Sequence, residues 1–157
     1  MIAVSNTTPI LSLYKIGKLC LLKDLFNEVI VPLAVRNEIS LPGGKPGHNI
    51  FDTVDYIKIK QVQNGFATSL LRSQLDYGEA EAIVLALELG VDVLILDEKK
   101  ARKVAQANSQ RIIGTIGILQ MAKDKGIISD MKSHMDELIA NGIWIDKALY
   151  QMVLARN

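Results

Sequence analysis

The stretch "GEAEAIVLALELGVDVLILDEKKAR", residues 78–102, decides the fold. Its first half reads as one long helix, and Gly90 directly after "EAIVLALEL" stops it, as glycine commonly does at a helix C-terminus. "VDVLIL", 91–96, is apolar almost throughout, which is how a central strand covered on both faces reads. Asp97 and Glu98 then precede another helical pattern. A buried strand between two helices, with carboxylates at its end, is the unit from which a parallel α/β sheet is built.

The same alternation extends outward. Strands are expected near 2–5, 28–31, 54–60, 92–96 and 111–113. Helices are expected near 9–15, 18–26, 32–40, 66–74, 77–89, 98–107, 115–125, 130–140 and 146–155, with Pro32 in the first turn of its helix, where a missing N–H costs nothing. This order predicts a three-layer α/β/α sandwich with a mostly parallel central sheet. The chain has 157 residues, a length that favours a single domain over 1–157 with a full core. "LPGGKPGHN", 41–49, is the one clear loop, either a flap or a surface excursion.

Composition narrows the function classes. Net charge is +1, so a nucleic-acid surface would have to be a local patch. A single cysteine excludes an intramolecular disulfide, and Cys20, set among leucines, reads as a core thiol. His48 and His134 lie far apart without zinc-ligand spacing and read as surface residues. No apolar run approaches the roughly 20 residues that span a bilayer. The N-terminus has no basic region followed by a cleavage site, so no signal peptide and a cytoplasmic location are expected. There is no phosphate loop, no dinucleotide fingerprint after the first strand and no nucleophile elbow.

In open parallel sheets, ligands bind beyond the carboxyl ends of the strands. Asn6 follows the first strand in "VSNTTP", 4–9. Asp97 and Glu98 follow "VLIL", Glu79 and Glu81 open the long helix, and Glu38 lies late in "PLAVRNEIS". Each has an ordinary alternative. Asp97 would cap the following helix. Glu79 and Glu81 would complement a helix dipole, Glu38 would face solvent, and Asn6, Thr7 and Thr8 would cap the helix at Pro9. Their convergence on one sheet edge favours a site. Hard divalent cations such as Mg²⁺ or Mn²⁺ take carboxylate and amide oxygens, and a cation removes the mutual repulsion of clustered carboxylates. Thr115 in "GTIG" would cap its helix and point a hydroxyl into the same cleft. Lys99, Lys100, Arg102 and Lys103 form a basic face beside Asp97 that could hold phosphates or simply be solvated. With only 5% aromatic residues, a base-stacking platform is not expected, and Trp144 and Tyr150 read as packing or interface residues.

"VSNTTPILSLYKIG", "VIVPLAVRNEI", the 78–102 stretch, "GTIGIL" and "NGIWIDKALYQMVL" together resemble the PIN-domain family over almost the whole chain. The resemblance is strongest to short prokaryotic members regarded as toxins of toxin–antitoxin pairs, like the VapC ribonucleases. It implies Mg²⁺- or Mn²⁺-dependent hydrolysis of an RNA phosphodiester. Asn6, Glu38, Glu79 and Asp97 would be the catalytic and metal-holding set, with Glu81, Glu98 and Thr115 as secondary contributors. It also implies an antitoxin partner and a homodimer; the helix with Leu19, Leu21, Leu22 and Leu25 reads as mainly core, although PIN proteins commonly dimerise through the equivalent early helices. Asn6 departs from the pattern, which has aspartate there. An amide oxygen coordinates without bringing charge, so the alternative is a PIN-fold binding module with weak or no catalysis. A receiver-like protein is disfavoured, because the first strand lacks an acidic pair.

Overall fold

The computed structural model describes residues 1–43 and 45–157. Among them, five strands form one all-parallel sheet in the order β3-β2-β1-β4-β5. The strands are β1 (Ile2–Ser5), β2 (Glu28–Pro32), β3 (Ile57–Lys60), β4 (Val93–Ile95) and β5 (Ile112–Ile113). The helices are α1 (Thr7–Lys15), α2 (Leu21–Leu25), α3 (Leu33–Ile39), α4 (Ile50–Thr53), α5 (Gly65–Leu71), α6 (Tyr77–Leu89), α7 (Lys99–Ala107), α8 (Thr115–Asp124), α9 (Met131–Ala140) and α10 (Lys147–Arg156).

Strand alternation builds the three layers. Successive side chains of a strand point to opposite faces. Ala3, Val29, Val31, Val93 and Ile95 therefore enter one core, with α1, α2, α8 and α9. Val4, Ile30, Leu94 and Leu96 enter the other, with α6 and α7. Helix α6 is buried continuously from Gly78 to Ala86 and ends at Gly90 with φ +60°. The expected α/β/α sandwich is the observed fold, and its sheet is parallel throughout.

Local differences have physical reasons. The strand expected over 54–60 is shortened, because Ile50–Thr53 forms a helical turn anchored by the fully buried Ile50. Pro32 ends β2 with extended backbone, so α3 starts one residue later. Cys20 is exposed rather than a core thiol. Leu19, Leu21, Leu22 and Leu25 take the inward face, leaving Cys20, Lys23 and Asp24 to solvent. In the 41–49 loop, Gly47 packs against Leu11 and Tyr14 of α1, and Gly44 lies outside the described residues. Among the described residues no helix is long and apolar enough to cross a membrane.

The sheet order places the reversal of winding between β1 and β4. The chain runs from β1 outward to β2 and β3, then returns to the other side of β1 for β4 and β5. Crevices for ligands open at the carboxyl edge of such a reversal. Asn6 leaves β1 there, with its backbone N–H on the Ile95 carbonyl at 3.1 Å, and Asp97 leaves β4 beside it in the sheet order.

Candidate functional site

Asn6 occupies the N-cap position of α1, yet its side chain makes no capping hydrogen bond. The residue is only 4% exposed, and its Oδ1 has no hydrogen-bond partner. Buried polar atoms are rarely left this way, because an unsatisfied acceptor costs about 1–3 kcal/mol. The expected cap at Pro9 is therefore not what residue 6 supplies. Thr7, also buried, donates its hydroxyl to Glu38 Oε2 at 2.7 Å. Glu38 is exposed on α3, and this hydroxyl turns one of its oxygens toward the end of β1.

Gly78, in the first turn of α6, lies against both groups. A Cβ there would sit 3.1 Å from Glu38 Oε2 and 3.2 Å from Asn6 Oδ1. The amide and the carboxylate thus converge on a backbone that carries no side chain. This glycine was not singled out in the sequence, although it stands immediately before Glu79.

Glu79 is engaged in a capping box. Asp76 Oδ1 accepts the Glu79 N–H at 2.8 Å, and Glu79 Oε2 accepts the Asp76 N–H at 3.1 Å. The ordinary reading of Glu79 as a helix-start residue is therefore physically present. The D-x-x-E spacing in "DYGE" was the available signal for Asp76. Burial pushes the Glu79 carboxyl above the usual range. The neighbouring charges of Asp76, Glu98 and Glu38 push the same way, against the lowering effect of the Asp76 N–H. Those charges place Glu98, Glu38 and Glu79 within one electrostatic neighbourhood.

Glu81 points elsewhere. Its carboxylate accepts the Ala34 N–H at 2.9 Å and so satisfies a free donor at the start of α3. Its charge also raises the pKa of the exposed Tyr77 phenol. Two positions along α6 from Glu79, it works on a different side of the helix, as helical geometry requires.

Asp97 does not cap α7, whose N-cap position is Glu98 without a side-chain bond. Its oxygens go to Thr115 instead: Oδ1 accepts the Thr115 N–H at 2.7 Å and Oδ2 the hydroxyl at 2.6 Å. Thr115 is thus the first residue of α8 rather than its cap, which is Gly114. A Cβ at Gly114 would come within 2.8 Å of Asp97 Oδ1. Each carboxylate oxygen keeps a further lone pair, so these bonds orient Asp97 without exhausting it.

Lys99, Lys100 and Lys103 are exposed on α7. Arg102 is not part of that free face. It is half-buried, and its Nη1 donates to the Leu96 carbonyl at 2.8 Å, so it braces the end of β4. A cleft of about 630 Å³ runs from Thr8, Asp97, Glu98 and Thr115 past Lys99 to Trp144. Trp144 is 82% exposed, the most exposed large apolar side chain among the described residues, so of the two expected roles, packing or interface, it does not pack within this chain. Tyr150 is half-buried, with its hydroxyl on Asp136 Oδ1 at 2.6 Å.

Among the described residues no three His, Cys, Asp or Glu side chains already stand together as a metal cage. The donor chemistry nonetheless fits a hard cation. The unpartnered Asn6 Oδ1 and Glu38 Oε2 share one cradle over Gly78, and Glu79 is a desolvated carboxylate in a field of other carboxylates.

A parallel α/β domain with an oxygen-lined crevice at its winding reversal defines the class. The family model that matches residues 2–157 is described as a PIN domain. The chain belongs to the PIN-domain family, a nuclease fold whose members generally use divalent metal. No curated protein matches the chain.

Proposed function

We propose that residues 1–157 form a single PIN-like domain that hydrolyses RNA phosphodiester bonds with Mg²⁺ or Mn²⁺. Asn6, Glu38, Glu79 and Asp97 are its catalytic and metal-holding set. The observation that carries the reading is the buried, unpartnered Asn6 Oδ1 beside Glu38 Oε2. An acceptor left without a donor inside a carboxylate neighbourhood suits a cation. When bound, the ion supplies water activation and charge neutralisation at the phosphodiester.

The chain's own residues have separable tasks. Thr7 aims one Glu38 oxygen, and Thr115 holds both Asp97 oxygens. Glu79, raised in pKa by burial, suits proton transfer or ion binding. Glu98 adds negative field from the start of α7, while Lys99, Lys100 and Lys103 offer cations for the RNA backbone. The toxin of a toxin–antitoxin pair is the physiological role proposed, with a small antitoxin protein and a second copy of the chain as partners.

The second reading, a binding module, is favoured by one observation. The first acidic position of the family pattern holds an amide, which brings no charge. Cleavage of a labelled single-stranded RNA separates the two. The nuclease reading expects cleavage that needs Mn²⁺ or Mg²⁺ and falls at least about a hundredfold in Asp97→Asn and Glu79→Gln, each still folded. Clean protein that binds no metal and cleaves no RNA supports the module.

A further inference from the structure

We propose that Glu81 is a positioning residue: its carboxylate sets the register of α3 against α6 and so seats Glu38 over Gly78. This rests on the metal-dependent reading above, in which Glu38 is a ligand, and adds the group that places it.

The two helices meet at two points, one turn apart on each. Gly78 and Glu81 are three residues apart on α6 and share a face, and Ala34 and Glu38, four apart on α3, do likewise. At the first point the Ala34 N–H donates to Glu81 Oε2 at 2.9 Å. At the second, Gly78 lies against Glu38 Oε2 and the Val35 side chain, where a Cβ would stand 3.1 and 3.4 Å from them. One helical turn rises about 5.4 Å, so the bond at Ala34 and the cradle at Gly78 are neighbouring parts of one contact.

The other contacts of α3 set its register less narrowly. Glu38 is exposed, so burial does not fix it, and Thr7 holds one of its oxygens only where α3 brings it within reach. Val35 and Ile39 are buried in the core, but apolar contact is non-directional. Pro32 fixes where α3 begins, not how the helix lies across α6. A hydrogen bond is directional and weakens steeply when misaligned. Glu81 is 7% exposed and forms no ion pair among the described residues, so neither solvent nor a cation competes strongly for its carboxylate. Ala34 is buried as well. Without the acceptor, its N–H is re-paired only if α3 moves, and Glu38 moves with it.

The test separates reach from charge. Glu81→Gln keeps an acceptor at the same reach without the charge. Glu81→Asp keeps the charge one methylene short, and Glu81→Met fills the volume without a strong acceptor. Mn²⁺ binding, measured by calorimetry on folded protein, should stay within about twofold of the parent in the glutamine variant. It should weaken about tenfold or more in the other two. A loss in the glutamine variant as large as in the others would make charge the active property. Parent affinity in all three, with only the melting temperature lowered, would make Glu81 purely structural. Either result overturns the proposal, and the aspartate variant carries the test if the methionine variant does not fold.

A second readout needs no metal. In a chelator, Thr7→Val removes the bond to Glu38 and should lower the urea midpoint. Thr7 and Glu81 share no hydrogen-bond partner, so independent effects would add. The proposal expects Thr7→Val to lower the midpoint as much on the Glu81→Gln background as on the parent. On the Glu81→Asp background it should lower it hardly at all, because Glu38 has already left the hydroxyl. Full additivity overturns the proposal. A parent that binds no Mn²⁺ removes the metal reading, and this cycle still decides the register.

Discussion

Both carboxylate oxygens of Asp97 are held by one residue, Thr115, at 2.7 Å through its N–H and 2.6 Å through its hydroxyl. The pair joins the end of β4 to the start of α8 and fixes the direction of the carboxylate. Thr115→Val keeps the shape and removes the hydroxyl donor. A hydrogen bond to a charged group contributes about 1.5–3 kcal/mol, so the valine variant should show a lower denaturation midpoint and slower metal-dependent cleavage. Thr115→Ser, which keeps the hydroxyl, should retain most of both. Equal cleavage by the two variants would remove Thr115 from the positioning of Asp97.

Gly78 separates site from scaffold. Alanine is favoured over glycine inside a helix by about 1 kcal/mol. The new Cβ, however, would crowd Glu38 Oε2 and Asn6 Oδ1 at 3.1 and 3.2 Å. Gly78→Ala should leave thermal stability within about 1 kcal/mol of the parent while weakening Mn²⁺ binding, measured by calorimetry. Unchanged Mn²⁺ affinity would mean the cradle over Gly78 is not where the ion sits.

At Gly114 the same substitution should act differently. Its Cβ would come within 2.8 Å of Asp97 Oδ1, in a carboxylate that two bonds, one on each oxygen, hold in place. Gly114→Ala should therefore lower both stability and cleavage, read by a melting curve and a cleavage assay on the same sample. A variant as stable as the parent would show that Asp97 moves aside freely.

Glu79 gives a pH dependence of defined sign. Its folded pKa is raised, chiefly by burial. Between the ordinary carboxylate value, about 4.3, and that raised value, the folded chain binds more protons than the unfolded one. Stability then falls as pH rises through this window. Glutamine can keep the bond from the Asp76 N–H and does not titrate. In a metal chelator, Glu79→Gln should gain stability relative to the parent as pH rises through the window and keep that gain at neutral pH. Added Mn²⁺ should shrink it. A stability difference that is flat with pH would contradict the assignment.

Much of the fold was legible because its signals are local. The 78–102 stretch announces α6, Gly90, β4 and the turn at Asp97 through apolar runs and one glycine, and the observed helix 77–89 has the expected bounds. The carboxyl-edge placement of Asn6 and Asp97 follows from parallel topology. Apart from the local Asp76–Glu79 capping box, the partners of the site side chains are not legible, because they are set by tertiary approach. Nothing near Glu81 in the chain names Ala34 as its donor, and nothing near Asp97 names Thr115. Arg102 looks like its lysine neighbours in sequence, yet its reach to the Leu96 carbonyl depends on how α7 folds back on β4. The outward turn of Trp144 is not legible either, because composition cannot show that the isoleucines on either side of it turn inward.

The central claim is that residue 6 is a ligand position for a divalent cation, and a Mn²⁺ titration of Asn6→Asp against the parent, followed by calorimetry, tests it most directly. Without metal, a second carboxylate beside Glu38 should destabilise the fold by like-charge repulsion and burial. With metal, the added charge should tighten Mn²⁺ binding about tenfold or more and restore the lost stability. A binding isotherm identical to that of the parent would contradict the account.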